Sequence, residues 1–375
     1  MLVCREMARL DRKIRRSAVA AVVLLACLLL VEYRTFYQDK SQGTIGNRKN
    51  NPRKEAVMKK PHRKPMQPNK PRKTQEQIES SKSSSLDFLK TQGEVQARRR
   101  AILRGTCERR EIKSEAEPPK YTRQHIYVVD NYKAMYCFVP KVGCSNWKRI
   151  LMVLNGNKET VEGLTSEEIH LRANLRFLNS YTPEQQAHRL KNYLKFVFVR
   201  EPFRRALSVY RNKFEDVGYY QGNEHFHRFG RQIVAKFKKN PSQHDLQTGE
   251  NATWREFVDY LTHPTERAEV ETDIHFSDHW TEMYKLCSPC TIKYDVIGNL
   301  ETVADDAQYV LELLNAPSKV RYLSSGNSRP TNSSDSGTFH KYFSQLDKLQ
   351  LTKLWDLYKL DYELFGYPKP SVVPS

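Results

Sequence analysis

The segment Phe196-Val-Phe-Val-Arg-Glu-Pro-Phe-Arg-Arg-Ala-Leu-Ser208 joins a continuous apolar run to a polar, helix-forming stretch. Its first four residues, Phe196–Val199, are typical of a strand buried on both faces of a parallel sheet. Pro202 suits the first turn of a following helix. Arg200 then stands where the strand ends, and Ser208 can face back toward the same point from the helix. The segment therefore predicts a strand-turn-helix unit whose Arg and Ser grip one anion, such as a phosphate.

A second segment of this kind, Val139-Pro-Lys-Val-Gly-Cys-Ser-Asn-Trp-Lys-Arg149, lies upstream, just after a short apolar run. Backbone N–H groups and the positive end of the helix dipole converge at such a turn, which favours an anion. Lys141 adds a full charge, Gly143 allows close approach of the backbone, and Ser145 and Asn146 supply donors. The GxxxxGK[ST] spacing of nucleotide-hydrolysing loops is absent, so the expected ligand is a phosphate or phosphosulfate rather than a hydrolysed triphosphate.

Strand and helix patterns alternate around these two segments. The predicted strands are His125–Val129, Ala134–Val139, Phe196–Val199 and Asp295–Gly298. The predicted helices are Trp147–Leu154, Pro183–Leu194, Phe203–Phe214, Thr253–Leu261, Asp305–Leu314 and Leu346–Phe365. This alternation predicts an α/β domain with a central, largely parallel sheet, placed at residues 121–370.

The formal net charge of +19 is concentrated ahead of that domain. Residues 1–124 carry 30 basic and 13 acidic side chains, whereas the residues beyond 124 carry 32 and 30. Nucleic-acid-binding domains normally carry their basic surface on the folded element, so this distribution argues against a nucleic-acid partner. Residues 38–120 are rich in Lys, Arg, Pro, Gln and Ser and predict a basic disordered stem, with a helical pattern around Leu86–Arg104.

An uncharged apolar run, Ser17–Val31, follows six basic residues near the N-terminus. By the positive-inside rule, residues 1–16 are expected in the cytosol, residues 17–37 as a signal anchor in the membrane, and the remainder in the lumen. Fifteen apolar residues also fit the core of a cleaved signal peptide, which stays an alternative. No small-x-small cleavage site follows the run, and this favours the anchor.

The predicted luminal part holds Cys107, Cys137, Cys144, Cys287 and Cys290. An oxidising lumen permits disulfides, and an odd number leaves at least one thiol unpaired within the chain. The Cys287-Ser-Pro-Cys290 pair has no second CxxC or His pair at metal spacing, so no metal is expected and disulfides to the stem junction and loops are favoured. The triplets beginning at Asn251 and Asn332 are candidate N-glycosylation sites.

The sequences PKVGCSNWKR and FVREPFRRALSVYRNKF resemble the two cofactor signatures of Golgi carbohydrate sulfotransferases. With LCSPCTIKYDVIGNLET and the ending YELFGYPKP, they resemble the branch that contains the chondroitin, dermatan and GalNAc 4-O-sulfotransferases and the HNK-1 sulfotransferase. The similarity covers about His125 to Pro370. It implies a P-loop-like sulfotransferase domain at the Golgi membrane, with 3′-phosphoadenosine 5′-phosphosulfate (PAPS) as donor and a glycan as acceptor. The 4-position of GalNAc is the expected target.

The resemblance also implies roles for individual residues. The 5′-phosphosulfate is expected around Pro140, Lys141, Val142, Gly143, Cys144, Ser145 and Asn146. The 3′-phosphate is expected around Arg200, Glu201, Pro202, Phe203, Arg204, Arg205, Ala206, Leu207 and Ser208. Lys141 is the expected catalytic cation at the leaving phosphate. His279, in a His-Trp pair that matches the family, is the first candidate for the general base, and Glu201 is the second.

Further expectations concern a loop, the assembly and the class of protein. The Ser/Asn-rich stretch Ser324–Ser336 is predicted to be a surface loop that closes on the donor through Arg329. A homodimer is a candidate assembly. Two other classes of protein stay open: a non-catalytic luminal glycosaminoglycan-binding protein, which would explain the basic stem, and a luminal kinase, which would explain the phosphate loops.

Overall fold

The computed structural model describes residues 75–171, 175–264, 277–323 and 330–374 of the chain. The predicted cytosolic tail, the anchor at 17–37, the stem up to residue 74 and Arg329 lie outside the described residues. Within those ranges, no helix is both long and apolar enough to cross a bilayer.

Among the described residues, five strands form one sheet in the order β3-β1-β2-β4-β5. They are β1 (Ile126–Val129), β2 (Ala134–Cys137), β3 (Arg176–Phe177), β4 (Leu194–Val199) and β5 (Val296–Asn299). Strands β2, β4 and β5 are parallel, and Phe196 of β4 lies between Tyr136 of β2 and Val296 of β5. Strand β1 is antiparallel to β2 and β3, because only the 3₁₀ turn Asp130–Tyr132 joins β1 to β2. The predicted largely parallel sheet is therefore mixed, with its parallel half at β2, β4 and β5.

Helices surround the sheet and extend the chain on both sides of it in sequence. The first group is α1 (Gln75–Arg109), α2 (Lys120–Arg123), α3 (Cys144–Leu154), α4 (Ser166–His170), α5 (Pro183–Asn192), α6 (Pro202–Tyr210) and α7 (Val217–Gln221). The second group is α8 (Glu224–Phe237), α9 (Gln243–Thr248), α10 (Trp254–Thr262), α11 (Met283–Cys287), α12 (Val303–Leu313), α13 (Ser336–Phe343) and α14 (Lys348–Phe365). One π-helical turn, Arg211–Glu215, continues α6. The predicted helices are present with ends shifted by a few residues, and α8, α9 and α13 are additional to them.

The core consists of two clusters of buried apolar side chains. The first surrounds the sheet and includes Trp147 of α3 and Val310 of α12. The second joins α6, α8, α10, α13 and α14 around Trp254 and Trp280, both fully buried. Strand β4 reaches the first cluster and α6 the second, so the turn between them lies where the two clusters meet.

Helix α1 corrects the expectation of a disordered stem up to residue 120. Its buried side chains include Gln96, Leu103 and Thr106. At β5, the edge strand of the sheet, Ile297 donates its N–H to Gln96 Oε1 (2.8 Å), and its carbonyl accepts from Arg99 Nη1 (2.7 Å). Both side chains also bond to the Asp306 carboxylate. The helix therefore covers the open edge of the sheet through polar contacts, which a search for apolar periodicity does not detect.

Two disulfides, Cys107–Cys290 and Cys137–Cys287, hold the described region. Cys144 is free. The expectation that Cys287 and Cys290 form disulfides to the stem junction and the domain is confirmed, since Cys107 lies in α1 and Cys137 ends β2. Each bridge closes a long loop, which constrains the unfolded chain strongly.

Candidate active site

A cleft of about 640 Å³ opens at the carboxyl ends of the parallel strands. It is lined by the loop after β2, by residues that follow β4 and by residues that follow β5. Ligands of open α/β sheets bind in this position, because the loops that leave neighbouring parallel strands meet there. The two segments singled out in the sequence therefore face one cavity.

The loop after β2 turns sharply before α3. Lys141 and Gly143 both have left-handed backbone conformations, with φ of 68° and 72°. A side chain at position 143 would collide with the hydroxyl of Tyr322, so glycine is required there. The Lys141 ammonium donates to Asn212 Oδ1 (2.8 Å). Burial, with help from the positive charges of Lys213 and Arg200, lowers the pKa of Lys141 to about 7.

Arg200 and Ser208 converge on a group of hydroxyls from the chain before α13. Arg200 is buried, and its Nη2 donates to Ser333 Oγ (2.9 Å) and Ser334 Oγ (2.8 Å). Ser208 Oγ lies 3.0 Å from Thr331 Oγ1. The Nε of Arg200 is buried without a hydrogen-bond partner among the described residues. A guanidinium that faces several hydroxyls and keeps one unused donor is suited to bind an additional anion.

The opposite wall carries a lysine and an imidazole. Lys213 is buried, and its ammonium donates to the hydroxyl of Tyr219 (2.6 Å). The Nδ1 of His279 lies 3.1 Å from Ser277 Oγ, and the edge of its ring faces Phe226 with ring centroids 5.2 Å apart. Burial, and then the charge of Lys213, hold the pKa of His279 well below 6.5. Its imidazole is therefore neutral at neutral pH.

The charge of the lining has one sign. Lys141, Arg200 and Lys213 face the cleft, and no Asp or Glu is among the described residues that line it. Buried cations without carboxylate partners are costly, which is consistent with the lowered pKa values of Lys141 and Arg200. A ligand with several negative charges would compensate them.

A sequence model of the Sulfotransferase family matches residues 124–368. This chain belongs to the sulfotransferase family. Carbohydrate sulfotransferase 11 of Mus musculus is 39% identical over 252 residues, which are 66% of this chain and 68% of that protein. Carbohydrate sulfotransferase 14 of Danio rerio is 36% identical over 306 residues, 80% of this chain and 78% of that protein.

A third relative, carbohydrate sulfotransferase 8 of Homo sapiens, is 36% identical over 282 residues, 73% of this chain and 63% of that protein. No solved structure gives a significant match. The resemblance stated from the two loops is thereby confirmed at the level of the family. Membership of that family implies PAPS as the sulfuryl donor.

The sulfotransferase cleft takes up half of the residues predicted to bind its donor. Those that line it are Pro140, Lys141, Gly143, Cys144, Ser145, Asn146, Arg200 and Ser208. Those that do not line it are Val142, Glu201, Pro202, Phe203, Arg204, Arg205, Ala206 and Leu207. Within α6 only every third or fourth residue can face one side, so a continuous run of helix could not line the cavity.

Three of the residues outside the cleft support its walls. Glu201 caps α6 by accepting from the backbone N–H of Arg204 (2.6 Å), and its other oxygen accepts from the hydroxyl of Tyr362. A carboxylate held in this way lies away from the acceptor, so the second candidate for the base is a cap. The buried Arg205 donates to the carbonyls of Pro140 (3.1 Å) and Thr281 (2.8 Å), which ties the first loop to the wall that carries His279.

Four groups of residues in the cleft are additional to the sequence prediction. They are the pair Asn212 and Lys213, the ring of Tyr219, the hydroxyls of Thr331, Ser333 and Ser334, and the apolar side chains of Leu300, Val303 and Tyr322. Lys213 belongs to a basic face of the helix after β4, which is more often solvated. The π-helical turn directs it inward instead, and sequence periodicity does not reveal such a turn.

The grip of Arg200 and Ser208 on the donor can be measured with the product, 3′-phosphoadenosine 5′-phosphate. Arg200→Ala and Ser208→Ala should each weaken its binding by about 10- to 100-fold, since charge-assisted contacts contribute roughly 1.5–3 kcal/mol. Calorimetry provides the affinities. Arg255→Ala, at an exposed arginine bonded to the Gln345 carbonyl, is the matched control and should bind like the unmodified protein. Unchanged affinity in both cleft variants would contradict the assignment.

Proposed function

We propose that this sulfotransferase transfers the sulfuryl group of PAPS to a hydroxyl of a luminal glycan. The specific target is the 4-hydroxyl of GalNAc in chondroitin, dermatan or GalNAc-capped glycans. The observation that carries the proposal is the cleft with three cationic side chains and no lining carboxylate. PAPS has negative charge at two separate positions, and the two loops offer one anion site each.

The contacts of the cleft support one placement of the donor. The 3′-phosphate would bind the free Nε of Arg200 and the hydroxyl of Ser208 and would compete with the seryl hydroxyls for Nη2. The 5′-phosphosulfate would lie against the Lys141 loop and the N-terminus of α3. Leu300, Val303 and Tyr322 provide an apolar wall for adenine. The free thiol of Cys144 would lie beside the phosphosulfate.

The transfer exchanges one sulfur–oxygen bond for another. The acceptor hydroxyl oxygen attacks sulfur, the bond from sulfur to the bridging oxygen of the 5′-phosphate breaks, and the adenosine bisphosphate leaves with the bonding electrons. Negative charge grows on that oxygen, where the Lys141 ammonium would stabilise it. Because the pKa of Lys141 is about 7 without donor, the bound anion must draw the lysine into its charged form.

His279 is the group that would accept the proton of the acceptor hydroxyl. For this task its Nδ1–H must donate to Ser277 Oγ, which leaves the lone pair of Nε2 for the acceptor. Its lowered pKa keeps this nitrogen unprotonated at neutral pH. Lys213, beside it, would lie near the sulfuryl oxygens or the acceptor.

The acceptor and the two rival classes can be separated with one set of assays. Desulfated chondroitin, dermatan and GalNAc-capped glycans are incubated with PAPS, and disaccharide analysis identifies the sulfated position. Sulfation at the 4-position of GalNAc supports the proposal. Turnover of labelled PAPS excludes a non-catalytic binder, and preference for adenosine bisphosphate over ATP excludes a kinase.

The location follows from the sequence and stays a proposal. A single anchor at residues 17–37 would place the catalytic domain in the Golgi lumen, with type II topology. Of the two sequons, Asn251 is exposed and lies away from the cleft. Asn332 lines the cleft, and Ser334 of the same sequon accepts from Arg200. A glycan on Asn332 would occupy the mouth of the cleft, so we favour Asn251.

Sealed microsomes test topology and glycosylation together. The C-terminal domain should resist protease until detergent is added. Asn251→Gln should remove a glycan and increase electrophoretic mobility, whereas Asn332→Gln should migrate like the unmodified protein. Digestion without detergent would reverse the proposed orientation, and a shift seen only in Asn332→Gln would contradict the choice of sequon.

A further inference from the structure

Helix α8 has one exposed basic face. His225, Arg228, Arg231 and Lys236 are exposed along it. The opposite side, which includes Phe229, is buried and packs edge-on against Trp280, with ring centroids 4.8 Å apart. The orientation of the helix is therefore determined by the core, and the basic face is held outward. From His225 to Lys236 it extends roughly 16 Å, at 1.5 Å per residue.

This basic face begins at the active-site cleft. Asn223, just before α8, donates to the hydroxyl of Tyr219 (2.8 Å), which also accepts from Lys213. Phe226, in the first turn, packs against the ring of His279. The proposed base and the first basic side chain of α8 are thus joined by one continuous set of contacts. A chain bound along the helix would lead directly to the reacting hydroxyl.

The charges of this face are of one sign and are not neutralised by described neighbours. From residue 224 to 239 the sequence has one acidic residue, Glu224, against the basic residues Arg228, Arg231, Lys236, Lys238 and Lys239. No described carboxylate forms an ion pair with Arg228 or Arg231. The exposed side of α14 differs, since Lys359 pairs there with Asp356 (3.3 Å). A solvated helix normally mixes both signs, as α14 does.

We propose that the basic face of α8 binds an extended polyanionic glycan and delivers an internal sugar of that polymer to His279. This inference rests on the proposed function and narrows it to a uronate-containing glycosaminoglycan over a short GalNAc-capped glycan. The carboxylates that repeat along such a polymer match a row of cations, whereas a short neutral glycan offers none. Exposed cations attract a polyanion over a distance that salt screening shortens, so the contribution should appear in acceptor binding and depend on ionic strength.

The double variant Arg228→Glu/Arg231→Glu tests the proposal in the full-length protein. Two acceptors are compared at low and at physiological salt: desulfated chondroitin polymer and a short neutral GalNAc-terminated oligosaccharide. We expect KM for the polymer to rise at least about tenfold at low salt, to lose most of its salt dependence, and to rise far more than KM for the short glycan. The control Lys353→Glu/Lys359→Glu, on the exposed side of α14, should behave like the unmodified protein.

Binding without turnover separates this inference from the proposed function. Affinity for desulfated chondroitin is measured in the absence of PAPS, and affinity for the adenosine bisphosphate verifies that the cleft of each variant is folded. Weaker chondroitin binding in the α8 variant supports the track even if no tested acceptor is sulfated, an outcome that would sink only the proposed function. Equal chondroitin affinity in the α8 variant and the unmodified protein would overturn the track. Lost binding only to phosphatidylserine vesicles would assign the face to a membrane instead.

Discussion

Lys141→Ala should lower kcat by about 100- to 1000-fold, the usual loss when one well-placed transition-state donor is removed. KM for PAPS should rise much less, because the interaction with the bridging oxygen grows as negative charge develops there. Lys141→Arg should restore little activity, since a planar guanidinium cannot replace a compact ammonium on a flexible stem. Steady-state kinetics at saturating PAPS and acceptor give both constants.

A matched control exists for the backbone at this position. Lys133, in the turn between β1 and β2, is exposed and has φ of 47°, so it shares the left-handed conformation of Lys141. Lys133→Ala should therefore retain full activity. If Lys141→Ala raises KM and saturating PAPS recovers most of the rate, Lys141 anchors the donor only and the mechanistic role is wrong.

The titration of Lys141 gives this prediction a second measurement. With a pKa of about 7 in the absence of donor, the lysine is charged below that pH and increasingly neutral above it. The adenosine bisphosphate binds the charged form better, so its affinity should fall as the pH rises above 7, with uptake of a proton. Lys141→Ala should remove that dependence. Calorimetry in buffers of different ionisation enthalpy measures the uptake.

His279→Asn should lower kcat by about 100- to 10,000-fold, the range expected for loss of a general base. Affinity for the adenosine bisphosphate should change little, because His279 lies on the acceptor side of the cleft. Ser277→Ala, which removes the oxygen that accepts from Nδ1–H, should cost less than the loss of the imidazole. Thermal unfolding verifies that both variants fold.

The pH profile distinguishes a base from a structural histidine. Because the pKa of His279 lies well below 6.5, Nε2 can accept a proton throughout the neutral range, and the acid limb of kcat/KM should begin below pH 6.5. In His279→Asn that limb should disappear. A variant that keeps both the rate and the limb would transfer the role of base to another group.

The two loops are predictable from sequence because their signals are local. Each consists of a short apolar strand followed at once by a cation and a helix start, and the structure places Lys141, Arg200 and Ser208 in one cleft. The helix after β4 shows the limit. Its continuous motif suggests that every residue from Arg200 to Ser208 contacts the donor, yet helical geometry turns Phe203 to stack on Phe343 in the core.

The remaining parts of the site depend on tertiary contacts. Lys213 enters the cleft only because a π-helical turn follows α6, and Thr331, Ser333 and Ser334 reach Arg200 from more than 120 residues along the chain. Helix α1 was hidden for another reason. It meets the domain through Gln96 and Arg99, whose polarity is typical of a solvated stem, so the composition and the structure point in opposite directions.

The contact between α1 and β5 determines where a soluble fragment can begin. A secreted version that starts at residue 121, where the apolar pattern of the domain returns, would lack Gln96 and Arg99 and leave the N–H and carbonyl of Ile297 uncovered on an edge strand. It would also lack Cys107 and leave Cys290 with a reactive thiol. An open edge and an unpaired cysteine both favour association between chains. A fragment that begins before residue 75 keeps the edge covered and the bridge closed.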